Sequence, residues 1–421
     1  MMEQRRKALL IGVNINNQEN FKETLEELKN LTIACGLEVV GQVEQNLKVI
    51  NKAYYIGSGK VDEVKRLIEE KKADVVIFDD QLSPSQLRNL EKTFECNILD
   101  RTSLILEIFA QRAKTREAKL QVEVARLKYM LPRLIGSNEN LGRQSGGVGT
   151  KNRGAGEKKL ELDRRKIEEK IAELTKELEL IVKERQNQRK QRRKAQLPMV
   201  SLVGYTNAGK STLMNAMIDQ FQKGEDKKVF EKDMLFATLE TSVRKITLPN
   251  NKGFLLSDTV GFVNKLPHEL VKAFRSTLEE VREAQLLLHV VDVSNPNFEQ
   301  HLKVTKETLQ QIGADEIPIL HVYNKGDLAL RKLPYVEGNN IYISARNRVG
   351  IEELVQLISR KIFKDYVECK MLIPYNQGKI VSYLNENAHV KAVSYEDEGT
   401  LLIMECKEKD YKKFQHFVIN S

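Results

Sequence analysis

The sequence predicts an α/β fold class in four parts: an N-terminal α/β domain, an inserted antiparallel helical hairpin of coiled-coil type, a P-loop α/β domain and a small C-terminal α+β domain. Three observations predict it. Short β-rich runs alternate with helical patterns in two separate stretches, and a long stretch between them holds almost nothing but strong helix formers. In the second alternating stretch a strand feeds a glycine loop that opens a helix. At 421 residues the chain is too long for one ordinary core, so several domains are expected.

Residues 1–100 form the first part. "ALLIGV", "LEVVGQV", "ADVVIFDD" and "NILD" read as strands, while Phe21, Leu25 and Leu28, then Val61, Val64, Leu67 and Ile68, recur at helical spacing. The basic N-terminus resembles the start of a secretory signal, but the apolar run Ala8–Val13 is too short for one and reads as a strand. No apolar run approaches a membrane span. Cys35, Cys96, Cys369 and Cys406 have no metal-type spacing, so reduced thiols of a cytoplasmic protein are expected.

Residues 101–195 change character. The first helical run extends from Arg101 to Arg133, closed by Pro132, and carries Leu120, Val124, Leu127 and Leu131 at heptad spacing. The second run, Glu157–Ala195, repeats the seam with Leu160, Ile167, Ile171, Leu174, Leu178 and Ile181. The two stripes predict a projecting hairpin, and the glycine-rich stretch between them, about residues 134–156, is its tip.

The formal net charge is +9, and it is concentrated on this arm. Arg133–Lys166 holds nine basic against four acidic side chains, and Lys183–Lys194 holds seven against one. Such charge on a glycine-rich projection suits contact with a phosphate backbone, with Arg143, Lys151, Arg153, Lys158 and Lys159 as candidate RNA contacts.

Residues 196–365 carry the nucleotide chemistry. "MVSLV" leads into Gly204, Tyr205, Thr206, Asn207, Ala208, Gly209, Lys210, Ser211 and Thr212, the strand, loop and helix order of a P-loop. Glycines let backbone N–H groups turn toward phosphate, Lys210 reaches the β- and γ-phosphates, and the Ser211 hydroxyl faces Mg²⁺. "LLSDTVGF" gives Asp258, expected to hold Mg²⁺ through water, and Gly261, whose amide would approach the γ-phosphate. Thr238 in "LFATLE" is expected to close over Mg²⁺, so Lys210, Thr238 and Gly261 are the candidate catalytic residues.

The base is read by "NKGD". Asp327 can accept two hydrogen bonds from guanine, a donor pair that adenine lacks, while Asn324 and Lys325 brace the loops. Ser344 and Ala345 in "SAR" match the loop whose backbone amide faces guanine O6. Together these motifs point to GTP hydrolysis with Mg²⁺. Phe262 stands where many GTPases carry a water-orienting glutamine, which predicts slow hydrolysis until a partner orders the switches.

Residues 366–421 read βαββα and close the chain as a two-layer domain. Other residues have blander readings. "GSGK" at Gly57–Lys60 reads as a turn opening a helix, Asp79 and Asp80 as surface or capping residues, and His289 and His321 as hydrogen-bonded core residues. His268 is read as a switch-region surface residue, and no spacing rule gives Arg275 a role.

With "YYIGSGKVDEV", "VIFDDQLSPSQLRNLEK" and "ILDRTSLILEIFAQRAKTREAKLQVEVARLKYMLPRL" ahead of these motifs, the chain closely resembles the HflX family of translational GTPases from about residue 7 to 365. The resemblance implies a cytoplasmic GTPase, with no membrane span, that binds the large ribosomal subunit and splits stalled or idle ribosomes in its GTP-bound form. It also implies that the arm contacts ribosomal RNA near the peptidyl-transferase centre. The alternative is an RNA-remodelling or assembly factor of the large subunit whose release is timed by GTP. A monomer is expected.

The tip departs from the family's usual "GGGIGTRGPGETQLE". Here an extra residue precedes Gly154, Ala155 replaces proline, and Lys158 and Lys159 replace Thr–Gln. One reading is an arm tuned to drug-stalled ribosomes.

Overall fold

The computed structural model describes residues 5–18, 20–135, 153–194, 197–221, 235–236, 241–249, 252–265, 267, 280–329 and 332–419. The chain divides into two compact units. The first comprises Met1–Gln191, Lys232–Glu240 and Val260–Leu278; the second comprises Arg192–Glu231, Thr241–Thr259 and Glu279–Ser421.

In the first unit, β1 (Lys7–Ile15), β2 (Glu38–Leu47), β3 (Val75–Phe78) and β4 (Asn97–Asp100) form a parallel sheet in the order β2-β1-β3-β4. Helices α1 (Phe21–Ala34), α2 (Ser58–Lys71), α3 (Pro84–Phe94) and α4 (Arg101–Arg112) cover it. Alternate residues of β1 enter two cores: Ala8 and Leu10 pack with Leu25, Leu28 and Ile108, while Leu9, Ile11 and Val13 pack with Val61, Val64 and Leu90. A strand buried on both faces has to be apolar throughout, which explains the unbroken run in β1. "GSGK" opens α2, with Gly57 as its N-cap. Ser83 and Gln86 form a capping box on α3, with Pro84 in its first turn.

The helical arm differs from the sequence expectation in two ways. Its first run breaks at Ala113–Thr115, giving α4 and then α5 (Arg116–Ile135), and Pro132 lies inside α5 instead of closing it. Pro132 has no N–H to donate to the carbonyl of residue 128, one turn back, and the helix runs only three residues beyond it, to Ile135. The second run forms α6 (Arg153–Lys194). Arg116 pairs with Glu177 at 2.6 Å, and the charge of Glu123 acts on Lys170, so partners advance along α5 as they recede along α6. That is antiparallel packing, with Val124 and Leu174 buried.

Helix α5 also has a second apolar stripe. Ala118, Val122 and Ala125 enter the core of the first unit, with Tyr129 packed against it. The arm is therefore rooted by a face that the heptad reading did not register.

Asp100 fixes that root. Its buried carboxylate caps α4 through Ser103 N (2.8 Å), accepts Leu82 N (3.0 Å), and binds Arg133 (3.0 Å) and the Tyr129 hydroxyl on α5. Asp100→Ala removes the buried carboxylate and leaves the half-buried Arg133 guanidinium, Leu82 N and Ser103 N without their acceptor, and a loss of about 3 kcal/mol is expected from the shift in urea midpoint. A loss below ~1 kcal/mol, the scale of an exposed pair, would show that solvent replaces the network.

In the second unit, β5 (Met199–Val203), β6 (Ser242–Thr247), β7 (Gly253–Asp258), β8 (Leu286–Asp292), β9 (Ile319–Asn324), β10 (Tyr335–Glu337) and β11 (Asn340–Tyr342) form one sheet in the order β10-β11-β9-β8-β5-β7-β6. The two edge strands, β6 and β10, run antiparallel to their neighbours. Helices α7 (Lys210–Phe221), α8 (Phe298–Ile312) and α9 (Ile351–Ile362) flank the sheet. Because β5 has β7 on one side and β8 on the other, its carboxyl end is a topological switch point, where open α/β sheets receive ligands.

The C-terminal part contains β12 (Tyr366–Ile373), α10 (Gly378–Asn387), β13 (His389–Glu396), β14 (Gly399–Lys407) and α11 (Glu408–Lys413), with an antiparallel sheet ordered β12-β14-β13. Met371, Ile373, Leu384, Leu402 and Met404 form its core. Lys252, before β7, pairs with Glu405 at 2.7 Å and lies 4.4 Å from the Tyr366 ring centroid. Cys369 and Cys406, 37 positions apart, are brought to 3.7 Å between sulfurs without a disulfide. Among the described residues no helix is long and apolar enough to cross a membrane.

Candidate nucleotide site

The loop between β5 and α7 is shaped by two glycines. Gly204 has φ +145°, and a Cβ there would lie 2.2 Å from the Val290 carbonyl oxygen; Gly209 has φ +93°, and its Cβ would lie 2.2 Å from Asn324 Nδ2. No other residue type fits either position. Asn324 then joins two loops: its amide donates to Ala208 O (2.9 Å), and its carbonyl accepts from Ala345 N (2.9 Å). Asn324 thereby ties the glycine loop before α7 to the turn at Ala345.

Lys210 begins α7 and is buried, with Nζ donating to Gly204 O (3.0 Å) and Tyr205 O (2.8 Å). Burial pulls its ammonium down to about 8, opposed by the Asp258 carboxylate. Ser211 Oγ donates to Asp258 Oδ2 at 2.7 Å, so the hydroxyl and carboxylate expected around Mg²⁺ are neighbours. Thr259, next in the chain, donates to Leu202 O at 2.6 Å and ties the end of β7 to β5. Thr206 is buried, and its hydroxyl has no hydrogen-bond partner among the described residues.

Lys325 adopts φ +60° and pairs with Asp292 at 2.7 Å, while Asp327 is exposed in the short 3-10 turn Gly326–Leu328. The exposed Asn207 has φ +62°, and Thr212 lies in the first turn of α7. The isolated bridge between Ser344 and Val349 shapes the "SAR" turn.

Several expected residues fall elsewhere. Thr238, His268, Arg275, Arg143 and Lys151 lie outside the described residues, while Arg153, Lys158 and Lys159 fall in the first turns of α6. Asp258 belongs to the second unit and Gly261 to the first, so the chain leaves one unit for the other inside the DxxG motif.

The sequence reading missed one feature and misjudged two residues. His301 on α8 stacks on Tyr205 of the loop, with ring centroids 3.8 Å apart, and burial pulls it down to about 4 against the charge of Asp292. Nothing in its spacing marks this role. Asp79 is buried between Arg101 and Lys265, so it is neither a surface residue nor a cap. The partners lie far from it in sequence, which hid the pairing. His289 is a core residue, pulled down to about 3 by burial, with further contributions from His321 and Lys210. His321 is only half-buried, and its Nδ1 has no hydrogen-bond partner among the described residues.

Comparison with known proteins accounts for most of the chain. Residues 22–110 match the family "GTP-binding GTPase N-terminal", residues 112–192 match "GTP-binding GTPase Middle Region", and residues 199–325 match "50S ribosome-binding GTPase". GTPase HflX of Caldanaerobacter subterraneus subsp. tengcongensis is 44% identical over 414 residues, covering 98% of this chain and 94% of that protein. GTPase HflX of Escherichia coli is 38% identical over 400 residues, covering 94% and 92%. A GTP-binding protein from the archaeon Sulfolobus solfataricus, solved with GDP, is 26% identical with a TM-score of 0.44, covering 85% of this chain and 99% of that one. Identity of 44% and 38% over 98% and 94% of its length shows that this chain belongs to the HflX family of GTPases.

Proposed function

We propose that this GTPase binds the large ribosomal subunit and, in its GTP-bound form, dissociates stalled or idle ribosomes in the cytoplasm. The observation that carries the reading is a G-motif loop joined in one chain to a basic helical arm. The family description "50S ribosome-binding GTPase" for residues 199–325 supports the partner, and the HflX relatives support the activity.

In this reading the P-loop amides from Gly204 to Thr212 cradle the phosphates, and Lys210 holds the β,γ edge. Asp327 reads guanine, Asn324 and Lys325 brace the base loops, and Ser344 and Ala345 close the base pocket. Gly261 presents its amide to the γ-phosphate. The hard-oxygen pair of Ser211 and Asp258, 2.7 Å apart, suits Mg²⁺, with Thr238 as the third member. Bound Mg²⁺ would neutralise charge developing between the β- and γ-phosphates. The reaction is transfer of a phosphoryl group to water, driven by positioning and electrostatics without a covalent intermediate.

Phe262 is 2% exposed and has no polar atom with which to orient water, so slow unassisted hydrolysis is expected. No observation favours an arm tuned to drug-stalled ribosomes.

The deciding experiment measures GTP hydrolysis by the purified protein at fixed salt, alone and with purified large subunits, followed by light scattering on intact ribosomes with GTP. Strong stimulation and splitting are expected. Stimulation without splitting would favour GTP-timed remodelling of large-subunit RNA, and no stimulation would remove the ribosome as activator. Neutralising Arg143, Lys151, Lys158 and Lys159 together should flatten the salt dependence of subunit binding by roughly one unit of slope for each phosphate that the arm no longer neutralises. An unchanged slope would take the tip off the RNA.

A further inference from the structure

We infer that His301 on α8 is a positioning residue for the nucleotide: by stacking on Tyr205 it holds the phosphate loop in its binding shape before GTP or GDP arrives. The inference rests on the reading of the loop between β5 and α7 as a phosphate cradle and is independent of the ribosome.

That loop needs support from outside itself. Gly204 and Gly209 let its amides turn inward, and the same backbone freedom leaves many other loop shapes open to the chain. Tyr205 stands between them and is 6% exposed. His301 is 8% exposed and lies almost parallel to its ring, at 9° with centroids 3.8 Å apart. With the imidazole pulled down to about 4 by burial, it is neutral at neutral pH and stacks as an uncharged ring.

The backbone carries the effect of the stack to Lys210. Lys210 Nζ donates to the carbonyl oxygens of Gly204 at 3.0 Å and Tyr205 at 2.8 Å, so the residue that bears the stacked ring also sets where the ammonium rests. Turning Tyr205 away from α8 turns its carbonyl as well, and the buried ammonium loses an acceptor that its burial requires.

Helix α8 is in turn fixed to the other half of the site. Phe298, three positions before His301 and so on the same face, meets the Tyr323 ring edge-on at 6.2 Å, and Tyr323 directly precedes Asn324. Asp292, at the end of β8, pairs with Lys325 at 2.7 Å, and its charge acts on His301. One face of α8 therefore spans from the phosphate loop to the strand that delivers the base loop, all within the second unit. A loop restricted in this way loses little further freedom when phosphate binds, which strengthens binding of GDP and GTP alike.

The test measures the affinities of the full-length protein for GDP and for a non-hydrolysable GTP analogue, both with Mg²⁺, by calorimetric titration. Wild type is compared with His301→Leu, Tyr205→Leu, the double variant and His301→Phe, with melting temperatures recorded without nucleotide. Leucine keeps apolar bulk but removes the flat ring, whereas phenylalanine keeps the ring.

His301→Leu should weaken both nucleotides about three- to tenfold, the scale of one stacked ring pair, and leave their ratio unchanged. The double variant should bind no more weakly than the weaker single variant, because both residues act through one stack. His301→Phe should stay within about twofold of wild type. Single-turnover hydrolysis by the loaded protein should change less than affinity, because bound phosphate then holds Lys210. Lower melting temperatures with unchanged affinities would make the stack a contact of the fold alone and overturn the inference. Additive losses in the double variant would overturn it too, and so would a loss in His301→Phe equal to that in His301→Leu, which would assign the effect to the imidazole nitrogens. A wild type that binds neither nucleotide would overturn the reading of the loop itself, and the inference with it.

Discussion

Replacing Asp327 by Asn should lower the affinity for GTP by about 10⁴-fold while raising that for xanthosine triphosphate. The effect would be large because a carboxylate can accept from two guanine donors at once. An amide offers one acceptor and presents its NH₂ group to a donor, whereas xanthine has a carbonyl oxygen where guanine has an amine. Asp327 sits exposed on a short turn, so its own replacement disturbs no core. Lys325, two residues earlier, is pinned to Asp292. Calorimetric titration with both nucleotides is the check. Equal losses for GTP and the xanthine nucleotide would mean that the turn had collapsed, and an unchanged GTP affinity would remove Asp327 from base recognition.

Replacing Lys210 by Ala should lower kcat/KM for GTP by about 10²–10³-fold, the scale of losing one preorganised group at a developing charge. GDP affinity should fall less, because one phosphoryl group is missing. The lysine also predicts a pH dependence with a definite sign. Burial has pulled its ammonium down to about 8, so the nucleotide-free protein loses that proton as pH rises through about 8. Phosphate binds the protonated form and raises the pKa, so GTP affinity should be full below pH 8 and weaken above it. A flat affinity from pH 7 to 9 would show that the lysine keeps its proton without nucleotide. Single-turnover hydrolysis with affinities measured in parallel separates the two effects.

The fold class and nucleotide loop were legible because their signals are local. Strand, glycine loop and helix are contiguous from Met199 to Phe221, and the positive φ values at Gly204 and Gly209 are the reason those residues are glycine. The heptad seam from Ile167 to Ile181 declares α6 by spacing alone. The break at Ala113–Thr115 was less legible, because strong helix formers flank it on both sides. The second stripe of α5, through Ala118, Val122 and Ala125, was obscured by the leucine stripe beside it.

By itself the sequence determined the strands, the helices, the glycine loop and the family, each encoded in residues close together along the chain. Only the tertiary structure decided which distant groups share a burial site. It set Arg101 against Asn264 across 163 positions, laid His301 on Tyr205, and made Asp79 a buried counter-ion instead of a surface residue. Spacing along one chain records local geometry. A buried charge has its partner chosen by the whole fold, because the cost of leaving water is met only where topology delivers an opposite charge or a hydrogen bond.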